Sequence, residues 1–113
     1  MLVLTTTGRR SGRPRSTPVA YLREGDSFVI SGANAGLDRP PAWWLNLQAD
    51  PDAEIEVGGR RLAVRAHAVK GAERDRLRAR FLQQNAGADT TASFTIREVP
   101  IIVLEPRSRV DQA

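Results

Sequence analysis

Cysteine is absent from this 113-residue chain, so disulfides, thiolate zinc sites and cysteine nucleophiles are all excluded. Histidine occurs only as His67, inside a strand-like stretch, where a surface or packing role is expected; no metal set and no supported Ser-His-Asp arrangement can be built on it. Aromatic residues are scarce, at three Phe, two Trp and one Tyr, and none is interleaved with the amino-terminal arginines, which argues against base stacking and hence against a nucleic-acid partner. No run of about 18 apolar residues exists to form a transmembrane segment. The opening Met-Leu-Val-Leu lacks the charged start and long apolar stretch of a secretory signal, so a soluble, cytoplasmic protein is expected. Gly8 and Gly12 are spaced for neither a dinucleotide-binding fingerprint nor a phosphate loop.

Acidic residues are missing from the first 23 positions, which hold Arg9, Arg10, Arg13, Arg15 and Arg23 and therefore carry +5, whereas residues 24–113 sum to −1. Four of these arginines, a threonine-serine cluster and two glycines crowd into residues 4–18. That composition reads as an anion cradle, since a concentrated positive field attracts phosphorylated or polycarboxylated ligands. Arginine outnumbers lysine sixteen to one. Its planar fork suits phosphate and carboxylate, but GC-rich coding produces the same bias, so arginines scattered elsewhere carry little functional weight.

The length predicts one domain over residues 1–113, and 41% hydrophobic with 27% charged residues is ordinary for a globular chain. Residues 1–7 suit a strand, followed by a glycine-punctuated turn that Pro14 keeps out of helix. Residues 15–23 form a second candidate strand, residues 24–27 a turn and residues 28–31 a third strand. Gly32-Ala-Asn-Ala-Gly36 opens a small-residue loop, and Pro40-Pro41 start a short helix from Ala42 to Ala49 that ends at Asp50-Pro51. Residues 53–69 read as a hairpin turning at Gly58-Gly59, with Val57 opposite Arg60 and Ile55 opposite Leu62. Ile55, Val57, Leu62, Val64, Ala66 and Ala68 then share a core face, and Glu54, Glu56, Arg61, Arg65 and His67 the solvent face. Residues 72–84 form an amphipathic helix with Leu77 and Phe81 inward and Glu73/Arg76 and Asp75/Arg78 paired on a solvated face. A polar loop follows over residues 85–93, and residues 99–104 are an apolar run suited to a buried strand. The fold expected is mainly β (α+β): a small barrel of about six antiparallel strands with two or three short helices.

The ordered set Leu4-Thr-Thr-Thr-Gly-Arg-Arg-Ser-Gly-Arg-Pro-Arg, Asp38-Arg-Pro-Pro-Ala-Trp-Trp-Leu-Asn-Leu47, Asp50-Pro51 and Val99-Pro-Ile-Ile-Val-Leu-Glu-Pro106 resembles the deazaflavin-dependent nitroreductase family across nearly the whole chain. The resemblance implies a split β-barrel, related to flavin reductases, that binds reduced coenzyme F420, a deazaflavin ring on a ribitol, phosphate, lactyl and oligoglutamate tail. In that family the basic turn takes the phosphate and tail, which here maps onto Arg9, Arg10 and Ser11, continuing through Arg15, Thr17 and Pro18. The loop after the third strand lies along the coenzyme, matching Ser31, Gly32, Ala33 and Asn34; Ala42, Trp43, Trp44 and Asn46 match the tryptophan-containing helix that borders the same pocket. The reaction implied is hydride transfer to a small electron-poor acceptor such as a quinone, enone or nitro compound, and a homodimer is the expected assembly.

The chain departs from better-known members in having Ala33 and Asn34 where they place serine and lysine, and Asn85, Ala88, Thr90 and Thr91 where they carry tyrosines. Nitroimidazole reduction is therefore not expected. Of the two tryptophans, Trp43 is expected in the pocket and Trp44 in the core; Thr7 is the threonine expected nearest a ligand. No residue reads as a general acid, which leaves water to deliver the proton. Rival readings are a deazaflavin carrier with little turnover and a reductase of the same barrel using flavin mononucleotide.

Overall fold

The computed structural model describes residues 1–32, 40–85 and 99–107. Its elements are β1 (Leu2–Thr7), β2 (Pro14–Val19), β3 (Leu22–Glu24), β4 (Ser27–Ser31), α1 (Ala42–Ala49), β5 (Asp52–Val57), β6 (Arg60–Ala68), α2 (Gly71–Gln84) and β7 (Ile101–Pro106). These seven strands form one sheet in the order β2-β1-β5-β6-β7-β4-β3, antiparallel at every pairing. Strands β2 and β3 stand at opposite ends of that order, yet only Ala20 and Tyr21 separate them in sequence. So short a link forces the sheet to curl until its edges approach. The same curl splits the single strand expected over residues 15–23 in two, because the chain must leave one edge and join the other.

The β5–β6 hairpin has the expected register, with Val57 opposite Arg60, Glu56 opposite Arg61 and Ile55 opposite Leu62. Gly58 and Gly59 both adopt positive φ, at 57° and 77°, which a two-residue turn of this hand requires. The inward face runs through Ala53, Ile55, Val64 and Ala66 but not to Ala68, which is exposed. Val69 is buried in its place and donates its N–H to the Ile101 carbonyl at 3.0 Å, so the face switches where the strand ends.

Two apolar clusters pack on opposite sides of the sheet. Leu2, Leu4, Phe28, Ile30, Ile55, Val64, Ile102 and Leu104 fill the curl, with Leu47 of α1 against them. Val29, Ile101 and Val103 meet Leu77 and Phe81 of α2 on the other side. Strand β7 is thus buried on both faces, which explains its unbroken apolar run. Full burial of such side chains contributes roughly 1.5–3 kcal/mol each.

The charged face of α2 differs from the expected solvated array. Arg76 Nη1 reaches Glu24 Oε2 at 3.0 Å, and Arg80 Nη1 reaches the other oxygen of the same carboxylate. Arg74, only 19% exposed, donates to the Val99 carbonyl at 2.6 Å. These arginines tie the helix to the β3–β4 turn and to the chain entering β7, contacts between segments far apart in sequence. His67 pairs with Glu105 at 3.2 Å on the half-exposed surface. Among the described residues, no helix is long and apolar enough to cross a membrane.

Candidate functional site

Strand β1 alternates Leu2, Leu4 and Thr6 inward, and all three are buried. Apolar alternation thus delivers one hydroxyl to the inner mouth of the curled sheet, just before the basic turn. That turn, residues 8–13, is internally bonded: Gly8 N–H donates to the Arg13 carbonyl and Gly12 N–H to the Gly8 carbonyl, both at 2.8 Å, and Arg13 N–H donates to Ser11 Oγ at 3.1 Å. Gly12 holds φ at +71°. At Gly8 the constraint is space, since a Cβ there would lie 2.8 Å from Ser11 Oγ and 3.1 Å from the Arg13 carbonyl oxygen.

Helix α1 packs across this end of the sheet. It begins after Pro41, whose φ of −66° and ψ of 151° turn the chain into the first helical residue, and ends at Asp50 before Pro51. Asn46, 4% exposed, reaches from its middle to the strand and the turn together. Its Oδ1 accepts the Arg9 backbone N–H at 3.1 Å and the Arg9 Nη1 donor at 3.4 Å, while its Nδ2 donates to Thr6 Oγ1 at 3.1 Å.

Between turn, strands and helix lies a cavity of about 700 Å³. Of the residues singled out from the sequence, Arg9, Arg10, Ser11, Arg15, Thr17, Pro18, Ala42, Trp43 and Asn46 line it. Among the described lining residues are three arginines and no acid, so their summed charge is positive, and Trp43, which also packs against the core of the curl, adds an apolar part to the lining. Anionic groups on an otherwise planar, apolar molecule match that lining.

Other expected residues lie elsewhere. Trp44 is half-buried against the core of the curl and does not line the cavity. Ser31 pairs with Ile101 at the end of β4. Gly32 donates its N–H to the Pro100 carbonyl at 3.0 Å, and a Cβ on it would come within 2.7 Å of Pro100 Cγ. Its lack of a side chain is what lets β4 and the chain entering β7 pack this closely. Ala33 and Asn34 fall outside the described residues, as does the expected polar loop beyond Asn85.

Thr6, Gly8, Ser16 and Pro41 also line the cavity without having been singled out. For Thr6 a signal was present: it continues the inward alternation of Leu2 and Leu4, whereas Thr7, the threonine expected nearest a ligand, does not line the cavity. Thr5 instead bonds Ser16 through their hydroxyls at 2.8 Å, directly across the β1–β2 pair.

The sequence profile of the family described as F420H(2)-dependent quinone reductase matches residues 1–106. A relative from Mycobacterium tuberculosis described as an F420H(2)-dependent quinone reductase is 39% identical over 109 residues, which cover 94% of this chain and 73% of that protein. A solved structure described as an F420-H2 dependent reductase superposes with a TM-score of 0.84 at 24% identity, covering 92% of either chain. Another, described as a domain-swapped dimer, has the same TM-score and identity and covers 92% of this chain and 78% of its own. The fold they share with the curled sheet is the split β-barrel. By profile, by identity to its relatives and by fold, the chain belongs to the F420H(2)-dependent quinone reductase family.

Proposed function

We propose that the cavity between the basic turn and α1 is where this oxidoreductase holds reduced coenzyme F420 and presents it to a quinone. The observation carrying this reading is the convergence of Arg9, Arg10 and Arg15 with Trp43 around about 700 Å³, with no carboxylate among the described lining residues. The residues present fit the group: guanidinium forks suit phosphate and carboxylate oxygens of its tail, and the indole suits a conjugated ring. When bound, the reduced deazaflavin supplies a hydride, which with one proton converts a quinone to its hydroquinone.

Each lining group then has a physical task. Arg9 and Arg10 bind the anionic tail by charge-assisted hydrogen bonds, and Arg15 extends the positive field along β2. Trp43 limits where a planar ring can rest. The buried Thr6 hydroxyl accepts from Asn46 Nδ2 at 3.1 Å and so fixes the orientation of that amide. Among the described lining residues there is no carboxylate, histidine or tyrosine to serve as general acid. In this reading water delivers the proton. A homodimer belongs to the same proposal, supported by the barrel neighbour described as a domain-swapped dimer.

Titration of the protein with coenzyme F420, repeated on Arg9→Ala and Arg10→Ala, tests the site. Losing charge-assisted hydrogen bonds worth about 1.5–3 kcal/mol should weaken binding roughly tenfold or more per arginine. Wild-type affinity in both variants would remove the tail from this turn.

A further inference from the structure

Asn46 stands in the middle of α1, where asparagine is a poor helix former and where a buried amide is costly unless it is bonded. Its bonds all run outward to other elements: the Arg9 backbone, the Arg9 guanidinium and Thr6. The amide can face only one way. Turned over, it would set Nδ2 against the two Arg9 N–H donors. Of its two bonds to Arg9, the one to the backbone is the shorter, so Asn46 fixes where the turn begins before it fixes the side chain.

Arg10 offers a contrast within the same turn. Its side chain is exposed and makes no hydrogen bond or ion pair with the described residues, although it lines the same cavity. Both side chains are exposed, but the Arg9 guanidinium already has one fixed partner in Asn46 Oδ1, and that of Arg10 has none among the described residues. A held donor loses little freedom on binding and suits a compact anion with a fixed position relative to the ring. A swinging one suits carboxylates farther out along a flexible tail.

Building on the site reading above, we propose that Asn46 is a positioning residue that presets Arg9 for the coenzyme's phosphate, leaving the unanchored Arg10 to the tail carboxylates. Its action runs through Arg9, and that distinguishes it from a residue that merely braces α1.

The test is a double-mutant cycle on the full chain, with Asn46→Ala, Arg9→Ala and the double variant titrated against coenzyme F420 and against the phosphate-free deazaflavin-ribitol chromophore. We expect each single variant to weaken coenzyme binding about tenfold, the double variant to match Arg9→Ala within about twofold, and Asn46→Ala to bind the chromophore like wild type. Multiplying losses in the double variant, or equal losses for coenzyme and chromophore, would show that Asn46 does not act through the Arg9 side chain and would overturn the inference while sparing the site. Unchanged binding in Arg9→Ala would also overturn the inference, and the site reading falls with it if Arg10→Ala binds like wild type as well. Should Asn46→Ala fail to fold, Thr6→Val keeps the packing but removes the acceptor for Nδ2. A loss of about threefold that vanishes in the Arg9→Ala background supports the proposal, and its persistence there refutes it.

Discussion

Gly8→Ala probes whether the geometry of the basic turn, rather than its charge alone, builds the cavity. The φ of Gly8 lies outside the left-handed region, so alanine meets no intrinsic backbone penalty there and the cost is purely steric. A methyl carbon would sit 2.8 Å from Ser11 Oγ and 3.1 Å from the Arg13 carbonyl oxygen, where 3.4–4 Å is ordinary contact. Ser11 can rotate away, but Arg13 N–H then loses the acceptor it holds at 3.1 Å. The Arg13 carbonyl can retreat only by stretching the 2.8 Å bond it accepts from Gly8. Weakening one or two such bonds costs about 1–2 kcal/mol, and each kcal/mol lowers Tm by about 3–6 °C in a chain this size. Because Arg9 and Arg10 hang from the displaced segment, coenzyme F420 should bind roughly tenfold more weakly, a larger effect than a distant substitution of equal stability cost would produce. Thermal unfolding and a coenzyme titration read the two effects separately, and adding Ser11→Ala divides them: rescue of Tm assigns the strain to the hydroxyl, no rescue to the carbonyl. A Gly8→Ala protein with unchanged Tm and unchanged affinity would refute the steric account of the turn.

Two further outcomes are expected. Trp43→Phe should abolish most of the tryptophan quenching caused by coenzyme F420, and Trp44→Phe should leave it largely intact, since only the first indole lines the cavity; equal quenching by both single-tryptophan variants would remove Trp43 from its assigned wall. Glu24→Gln removes the carboxylate shared by Arg76 and Arg80, with side chains 29%, 52% and 46% exposed respectively, so the loss should be no more than about 1 kcal/mol and should shrink in high salt. A Tm deficit unaffected by salt would mean that the contact acts through packing instead.

The contrast between the two halves of the charge inventory shows where sequence reasoning holds. The turn arginines stood out because no acid accompanies them for 23 residues, and the described residues lining their cavity include no carboxylate either. On α2, three-residue spacing suggested pairs within the helix, but Arg76 and Arg80 converge on Glu24, more than 50 residues away. Spacing along one helix says which charges are neighbours on its surface; it cannot say which other element comes to lie beside them. The tight neighbour of Gly32 was likewise not legible in the sequence, as Pro100 is supplied by the chain entering β7.

Local chemistry determined most of the strands, the Gly58-Gly59 register, the α1 boundaries, the inward stripe of α2 and the acid-free, basic character of the first turn, because each depends on side-chain alternation, backbone freedom or charge within a few consecutive residues. The curl of the sheet, the two-sided burial of β7 and the grip of Asn46 on Arg9 and Thr6, 37 and 40 positions away, depend on separate parts of the chain meeting in space. Such encounters follow from the curl that a two-residue link between opposite edges imposes on the whole sheet, and only the assembled tertiary structure decides them.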